Sequence, residues 1–415
     1  MLSENTIAIV KSTAPVLEEH GETLTRHFYK RMFTHNPEVA PFFNSANQAG
    51  GQQQKALAAA ICAYAANIDN LEVLGNAVEL IAQKHVSLQI KPEHYPIVGE
   101  NLLESIKEVL GDAATPEIID AWAEAYGFLT DILTGREAQI YDEQVSQTGG
   151  WEGFKNFRID KKEKESAVIT SFYLKPEDNA PLPTFKPGQY ITLRVPDASG
   201  TSTTMRSYSL SDKPGRDWLR ISVKRETGQD GNPDGYVSTL LHDKMEVGDT
   251  LDLAATCGEF FLDTTEHHPR PLVLLAGGVG ITPLISMLQS ALDAMPERKI
   301  IFVHASINEE VQAFRDTLDH FAEAHDNLTT HYCYSAPKKD NETSFENTSF
   351  GFVTAELIES LVPERDADYY FCGPKPFMVN IYHELLGWGI PPNQVHFEFF
   401  GPRQELEQNP KKRAA

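Results

Sequence analysis

Apolar residues in the first third of the chain recur at spacings of three and four, the signature of helices with one buried face. Ile7, Val10, Ala14 and Leu17 form one stripe, with a kink expected at Pro15. Leu24, Phe28, Tyr29, Met32 and Phe33 form a second helix, which Asn36-Pro37 stops. After a Phe42-Phe43 pair, a third helix is predicted from Gln52 to about Ile68, with Gln53, Leu57, Ile61 and Tyr64 near one stripe. A fourth carries Leu71, Leu74, Val78 and Ile81 on its inner face and ends at His85. A fifth spans about Tyr95 to Leu110, with Val98, Leu102 and Ile106 inward. The sixth runs from Pro116 to about Tyr141 and places Trp122, Tyr126, Leu129, Leu133 and Glu137 on one face.

From about Phe154 the period changes to two. AVITSFYLK, GQYITLRV, MRSYSLS, WLRISVKR and GDTLDLAA read as short strands split by turn residues, which suggests a barrel. Beyond them PLVLLAGGVGITPLISMLQ reads as a buried strand, a glycine turn and a helix. KIIFVHAS, a helix and DADYYFCGPKPF follow, and such strand–helix alternation predicts a doubly wound parallel sheet. The fold class is therefore multidomain: all-α, then antiparallel β-barrel, then α/β with a parallel sheet. The expected boundaries are 1–138 for the helical domain, 139–150 for a linker marked by Ser146, Thr148, Gly149 and Gly150, 151–264 for the barrel, 265–402 for the α/β domain and 403–415 for a solvated tail. Trp151 is expected to tuck the linker onto the barrel.

Composition narrows the classes. A chain of 415 residues exceeds one ordinary core, and 41% apolar with 23% charged residues reads as globular. The formal charge of −23 disfavours nucleic acid and anionic membranes as partners. The four cysteines, Cys62, Cys257, Cys333 and Cys372, form no CxxC pair, so zinc ribbons, thioredoxin-type sites and a disulfide framework are unsupported. Neither a signal peptide nor a membrane-spanning apolar run is visible, and a cytoplasmic monomer is expected.

Three places carry candidate chemistry. His85 ends a helix on its apolar face with the phenol of Tyr95 shortly after, which suits an axial metal ligand whose second nitrogen is held by a partner; the alternative is a core histidine satisfied by a backbone carbonyl. Glu137 falls where the period calls for an apolar residue. Either the helix frays there and Glu137 is solvated, or its carboxylate accepts from His85 or Tyr95. In the barrel, Arg206-Ser207-Tyr208-Ser209 can clamp a phosphate and pack on a planar ring, with Tyr190 one strand earlier and a glycine-rich loop, residues 228–235, leading to a helix near Val237. In the last domain, Gly278, Gly280 and Pro283 do not complete GxGxxG, because proline replaces the third glycine.

With HFYKRMFTHNPE, QKHVSLQIKPEHYPIVGENLL and GREAQIYDE in view, the helical part resembles a globin, and the chain up to Pro402 resembles a flavohaemoglobin, a globin fused to a ferredoxin-reductase-like module. The resemblance implies that His85 is the proximal ligand of haem b and that Tyr95 and Glu137 form a relay to it. It implies that Tyr29 and Gln53 hydrogen-bond bound oxygen, that Leu57 and Phe43 line the haem, and that Lys84 lies between haem and flavin side. It further assigns FAD to Tyr190, Arg206, Ser207, Tyr208 and Ser209, though the family often has a larger polar residue at Ser207. NAD(P) falls to Gly278, Val279, Gly280, Ile281, Thr282, Pro283, Phe399, Phe400, Gly401 and Pro402, with Glu398 tuning the flavin. The implied activity is NAD(P)H-dependent conversion of nitric oxide and O2 to nitrate. The rivals are an oxygen or gas sensor and an NAD(P)H-dependent flavin or ferric reductase.

Overall fold

In the computed structural model, residues 2–43, 51–228, 233–265, 269–338 and 347–400 are described. The chain divides into two compact units, Met1–Phe154 with Thr192–Arg206, and Lys155–Ile191 with Ser207–Ala415.

The first unit is built on helices. α1 spans Glu4–His35 and is capped by Ser3, whose hydroxyl accepts from the Thr6 amide. The two helices expected here are therefore one, with Pro15 inside it. The polar run after Leu17 looks like a break, yet Gly21 within it is buried, and a Cβ there would lie 3.3 Å from that of Ala58. α2 covers Gln52–Ala66, α3 Gly75–Ser87, α4 Tyr95–Leu110 and α5 Pro116–Ser146. The fourth helix starts later than its apolar spacing suggested, because Leu71–Leu74 winds as a 3-10 turn. Its fully buried residues are Ala82, Gln83, Val86 and Ser87, while the stripe of Leu71, Leu74, Val78, Ile81 and His85 is only half-buried. α5 carries on past Tyr141 because Ile140 and Gln144, one turn apart, are both buried. Most of the stretch read as a linker is thus helix. Val10, Leu24, Phe28, Met32, Ile106 and Trp122 lie in this unit's core.

Six strands form the next sheet: β1 Phe154–Lys164, β2 Ile169–Pro176, β3 Tyr190–Pro196, β4 Thr203–Ser209, β5 Leu219–Lys224 and β6 Thr250–Ala254. Their order is β4-β3-β6-β1-β2-β5. A bridge between Leu210 and Ile221 links the segment after β4 to β5 and closes the sheet on itself. β1 escaped the sequence reading because only Phe157 and Ile159 of its residues are buried. α6, Tyr236–Asp243, precedes β6.

The last sheet holds β7 Leu272–Gly277, β8 Ile300–Ser306, β9 Leu328–Tyr334, β10 Thr348–Phe350, β11 Asp368–Cys372 and β12 Val395–Glu398. The order β10-β9-β8-β7-β11-β12 is parallel throughout. α7 Ile281–Ala294, α8 Arg315–Ala324, α9 Ala355–Leu361 and α10 Lys375–Gly387 connect its strands. All residues of β7 and β11 are buried, as expected of a sheet covered on both faces. At the opposite end from the glycine turn, Asp368 accepts from Arg298 at 2.6 Å and Arg270 at 2.9 Å, which satisfies a carboxylate the sheet would otherwise bury alone.

Candidate functional site

Three elements bring His85, Tyr95 and Glu137 together. α3 ends at Ser87 and delivers the imidazole, α4 opens on the phenol, and the long α5 supplies the carboxylate from its interior. Tyr95 donates to Glu137 Oε1 at 2.5 Å, and His85 Nδ1 lies 2.8 Å from the same oxygen and 3.0 Å from the phenol oxygen. Glu137 is buried, so the frayed, solvated alternative does not hold. Burial first, and then the hydrogen bond to Glu137, pushes the Tyr95 hydroxyl well above its ordinary pKa, so it stays a donor. Tyr126 fixes the same turn by donating to the Tyr95 carbonyl at 2.7 Å. With Nδ1 engaged, Nε2 is the nitrogen of His85 left to bind iron. Among the described residues no group of three or more His, Cys, Asp and Glu side chains could hold a metal ion.

Tyr29 on α1 packs edge-on against Phe28 and Phe43 and stacks with Phe33. Phe43 also meets Phe33 at 5.2 Å between centroids. Tyr29 is buried, burial raises the pKa of its hydroxyl, and among the described residues that hydroxyl has no hydrogen-bond partner. Leu57 and Gln53 are half-buried on α2. An apolar wall with one unpaired phenol fits a haem with a small polar ligand. Lys84 is exposed in the last turn of α3.

Strand β4 carries Arg206, Ser207, Tyr208 and Ser209 in succession. The Arg206 guanidinium donates to Thr204 Oγ1 and to the Met205 carbonyl, which steadies it beside its own strand. Tyr190 opens β3 and pairs with Cys257, and its ring lies over Gly258, where a Cβ would come within 2.9 Å of it. Sequence reasoning missed Gly258; the CGEFF stretch around it had no pattern to flag it. A guanidinium, hydroxyls and a phenol on one strand suit the phosphate and ring of a flavin. Part of the loop over 228–235 lies outside the described residues.

The glycine turn sits at the carboxyl ends of parallel strands, the place where such sheets bind ligands. Gly278, Val279 and Gly280 make one 3-10 turn between β7 and α7, which opens with Ile281, Thr282 and Pro283. Gly280 is required by closeness: a Cβ would lie 2.1 Å from the Cys372 carbonyl oxygen at the end of β11. Gly278 is required by conformation instead, with φ +55° and open space around its missing Cβ. Gly278→Ala is therefore expected to cost only backbone strain, about 1 kcal/mol, visible as a lower urea midpoint at unchanged m-value. A loss of several kcal/mol would mean a hidden steric clash. Glu398 ends β12 in register with Cys372, Phe399 packs on the sheet, and Phe400 is exposed. Gly401 and Pro402 lie outside the described residues, as does the tail after them.

Comparison with known proteins follows this division. Residues 26–133 match the Globin family, 156–262 the Oxidoreductase FAD-binding domain and 274–383 the Oxidoreductase NAD-binding domain. A flavohemoprotein of Rhodopirellula baltica is 53% identical over 407 residues, 98% of this chain and 99% of the relative. The chain belongs to the flavohemoprotein family. The Bacillus subtilis flavohemoprotein is 45% identical over 99% of this chain and all of its own length. Among solved structures, flavohemoglobin from Malassezia yamatoensis with bound FAD and heme aligns with a TM-score of 0.77 at 25% identity, over 96% of this chain and 100% of that one. The FAD/NAD-binding domain of nitric oxide dioxygenase from Vibrio cholerae aligns at 0.53 and 32% identity, over 60% of this chain and 99% of its own. Membership makes this flavohemoprotein an oxidoreductase with a haem-bearing globin part and FAD- and NAD-binding parts. No helix among the described residues is long and apolar enough to cross a membrane.

Proposed function

We propose that this flavohemoprotein is an NAD(P)H-dependent nitric oxide dioxygenase, which consumes nitric oxide and O2 and forms nitrate. The cofactors, when bound, carry electrons from nicotinamide through flavin to a gas-binding iron. The protein's own residues do the rest. His85 Nε2 would hold the iron, and the Glu137 carboxylate draws on the Nδ1 proton, which would make the imidazole a stronger donor. Tyr95 keeps Glu137 in place and shares its charge. Tyr29 would offer an O–H to an iron-bound gas, with Gln53 as a second polar group, while Phe43 and Leu57 would exclude water. Arg206, Ser207, Tyr208 and Ser209 with Tyr190 seat FAD, and the turn from Gly278 to Gly280 with Thr282 and Pro283 seats NAD(P)H. Phe400, exposed after β12, would shield a bound flavin and yield to the nicotinamide, with Glu398 two residues before it.

The carrying observation is the buried carboxylate on His85, which a plain oxygen carrier does not need. The Vibrio cholerae relative bears the same activity in its name. All four cysteines are free, which suits the cytoplasm, and the high negative charge argues for small-molecule substrates rather than nucleic acid. The chain acts as a monomer. The test is product analysis on protein loaded with haem and flavin. NADH with nitric oxide in aerated buffer should yield nitrate in step with NADH loss. A gas sensor would bind without turnover, and a flavin or ferric reductase would oxidise NADH without making nitrate.

A further inference from the structure

His304 lies on β8, completely buried, directly behind the glycine turn. Its Nε2 is 3.2 Å from the Gly278 carbonyl oxygen, which also accepts from the Ile281 amide. Its Nδ1 is 3.4 Å from Gln312 Nε2. Gln312 accepts in turn from the Tyr334 hydroxyl, and Tyr334 accepts from Arg315 at 2.8 Å. Arg315 is held by Asp319 at 2.8 Å.

The direction of every bond in this chain follows from its first member. A guanidinium can only donate, so the Tyr334 oxygen accepts from it and its O–H points to Gln312 Oε1. The other end of that amide is then a donor aimed at His304 Nδ1. Nδ1 must accept, so the proton sits on Nε2 and points to Gly278. Burial pushes the His304 pKa down to about 4, which keeps the imidazole neutral and this tautomer intact at neutral pH. Ser306 Oγ, 3.4 Å from the same nitrogen, is a weaker second acceptor.

We propose that His304, oriented by Arg315, Tyr334 and Gln312, is a positioning residue of the dinucleotide site, holding the peptide after Gly278 in the one orientation that a pyrophosphate can use. This rests on the reading of the glycine turn as the NAD(P) site. Glycine leaves ψ on its side of that peptide permissive, so the tilt of the Gly278 carbonyl is set by its two donors, the Ile281 amide and His304. The donor from His304 opposes a change of that tilt. The turn leads straight into α7, where the Ile281 amide is given to Gly278 and Pro283 carries none, so the Thr282 amide is the one of its first three that a phosphate can meet. Aligned donors from a cation strengthen each successive bond, so the restraint is firmer than one neutral contact. Losing it would leave that carbonyl to the Ile281 amide alone, loosen the turn in the free protein and weaken apparent binding by the fraction still competent. The hydride step, taken from the bound state, would be unaffected.

The experiment is anaerobic stopped-flow reduction of the flavin in the haem- and FAD-loaded chain. It reads the apparent Kd for NADH and the limiting rate separately. His304→Met, of similar bulk but without a donor, should raise Kd about tenfold with a limiting rate near the parent's. His304→Gln, whose amide can still donate to Gly278, should stay within about threefold of the parent. A folded His304→Met protein with the parent's Kd overturns the proposal, as does a Gln variant as weak as the Met variant. Should His304→Met fail to fold, Gln312→Leu frees the tautomer and is expected to raise Kd about threefold; an unchanged Kd there overturns the proposal too. If neither NADH nor NADPH reduces the flavin of the parent chain, the dinucleotide site itself is misassigned and the proposal falls with it.

Discussion

Glu137→Gln is expected to slow nitric oxide turnover about ten- to a hundredfold, the usual range for removing a partner of a metal-bound histidine. Two donors, Tyr95 and His85, converge on one oxygen of this carboxylate. Bonds to a charged acceptor are roughly twice as strong as those to a neutral one. The amide keeps the shape and an acceptor oxygen but loses the charge, so the imidazole loses its anionic character. The other oxygen, Oε2, is buried with no partner among the described residues, so the incoming NH2 displaces no existing bond. Folding should survive, and flavin reduction by NADH should match the parent. Stopped-flow mixing with oxygen and nitric oxide separates the two steps. Equal haem kinetics in both proteins would sink the relay.

The second large effect belongs to Tyr29. Tyr29→Phe should speed oxygen release from the reduced protein about five- to 150-fold, the equivalent of a hydrogen bond worth about 1–3 kcal/mol. The test is clean because the Tyr29 hydroxyl has no partner in the protein among the described residues, so its removal orphans nothing. Its ring contacts with Phe28, Phe33 and Phe43 are kept by phenylalanine. Laser photolysis or ligand displacement gives the release rate. A rate that does not change would assign the polar contact to Gln53 or to water.

How far the sequence disclosed this site depended on whether its chemistry interrupted a pattern. Glu137 stood out because a charge occupied an apolar position of a clear helical period, and of the two alternatives that position left open the structure shows the paired one, with both His85 and Tyr95. The glycine turn stood out because a buried strand led into it. The chain behind that turn did not. His304 sits in a strand buried almost throughout, where one more interior residue breaks no alternation. Gln312 reaches it from a loop, and Tyr334 reaches Gln312 from β9. Only the parallel order of β7, β8 and β9 makes neighbours of them. β1 was lost for the opposite reason, since its outer half is too polar to advertise a strand.

The continuity of α5 to Ser146 has a practical bearing on dissecting the protein. A globin fragment trimmed at residue 138, where the pattern first invites a cut, would end one residue after Glu137. The last turn would shed Ile140 and Gln144, together with the Tyr141 hydroxyl that donates to the Ile90 carbonyl. Such a fragment would bind haem with its proximal carboxylate at a loose end, and its gas kinetics would misrepresent the parent. A fragment carried through Phe154 keeps that anchorage.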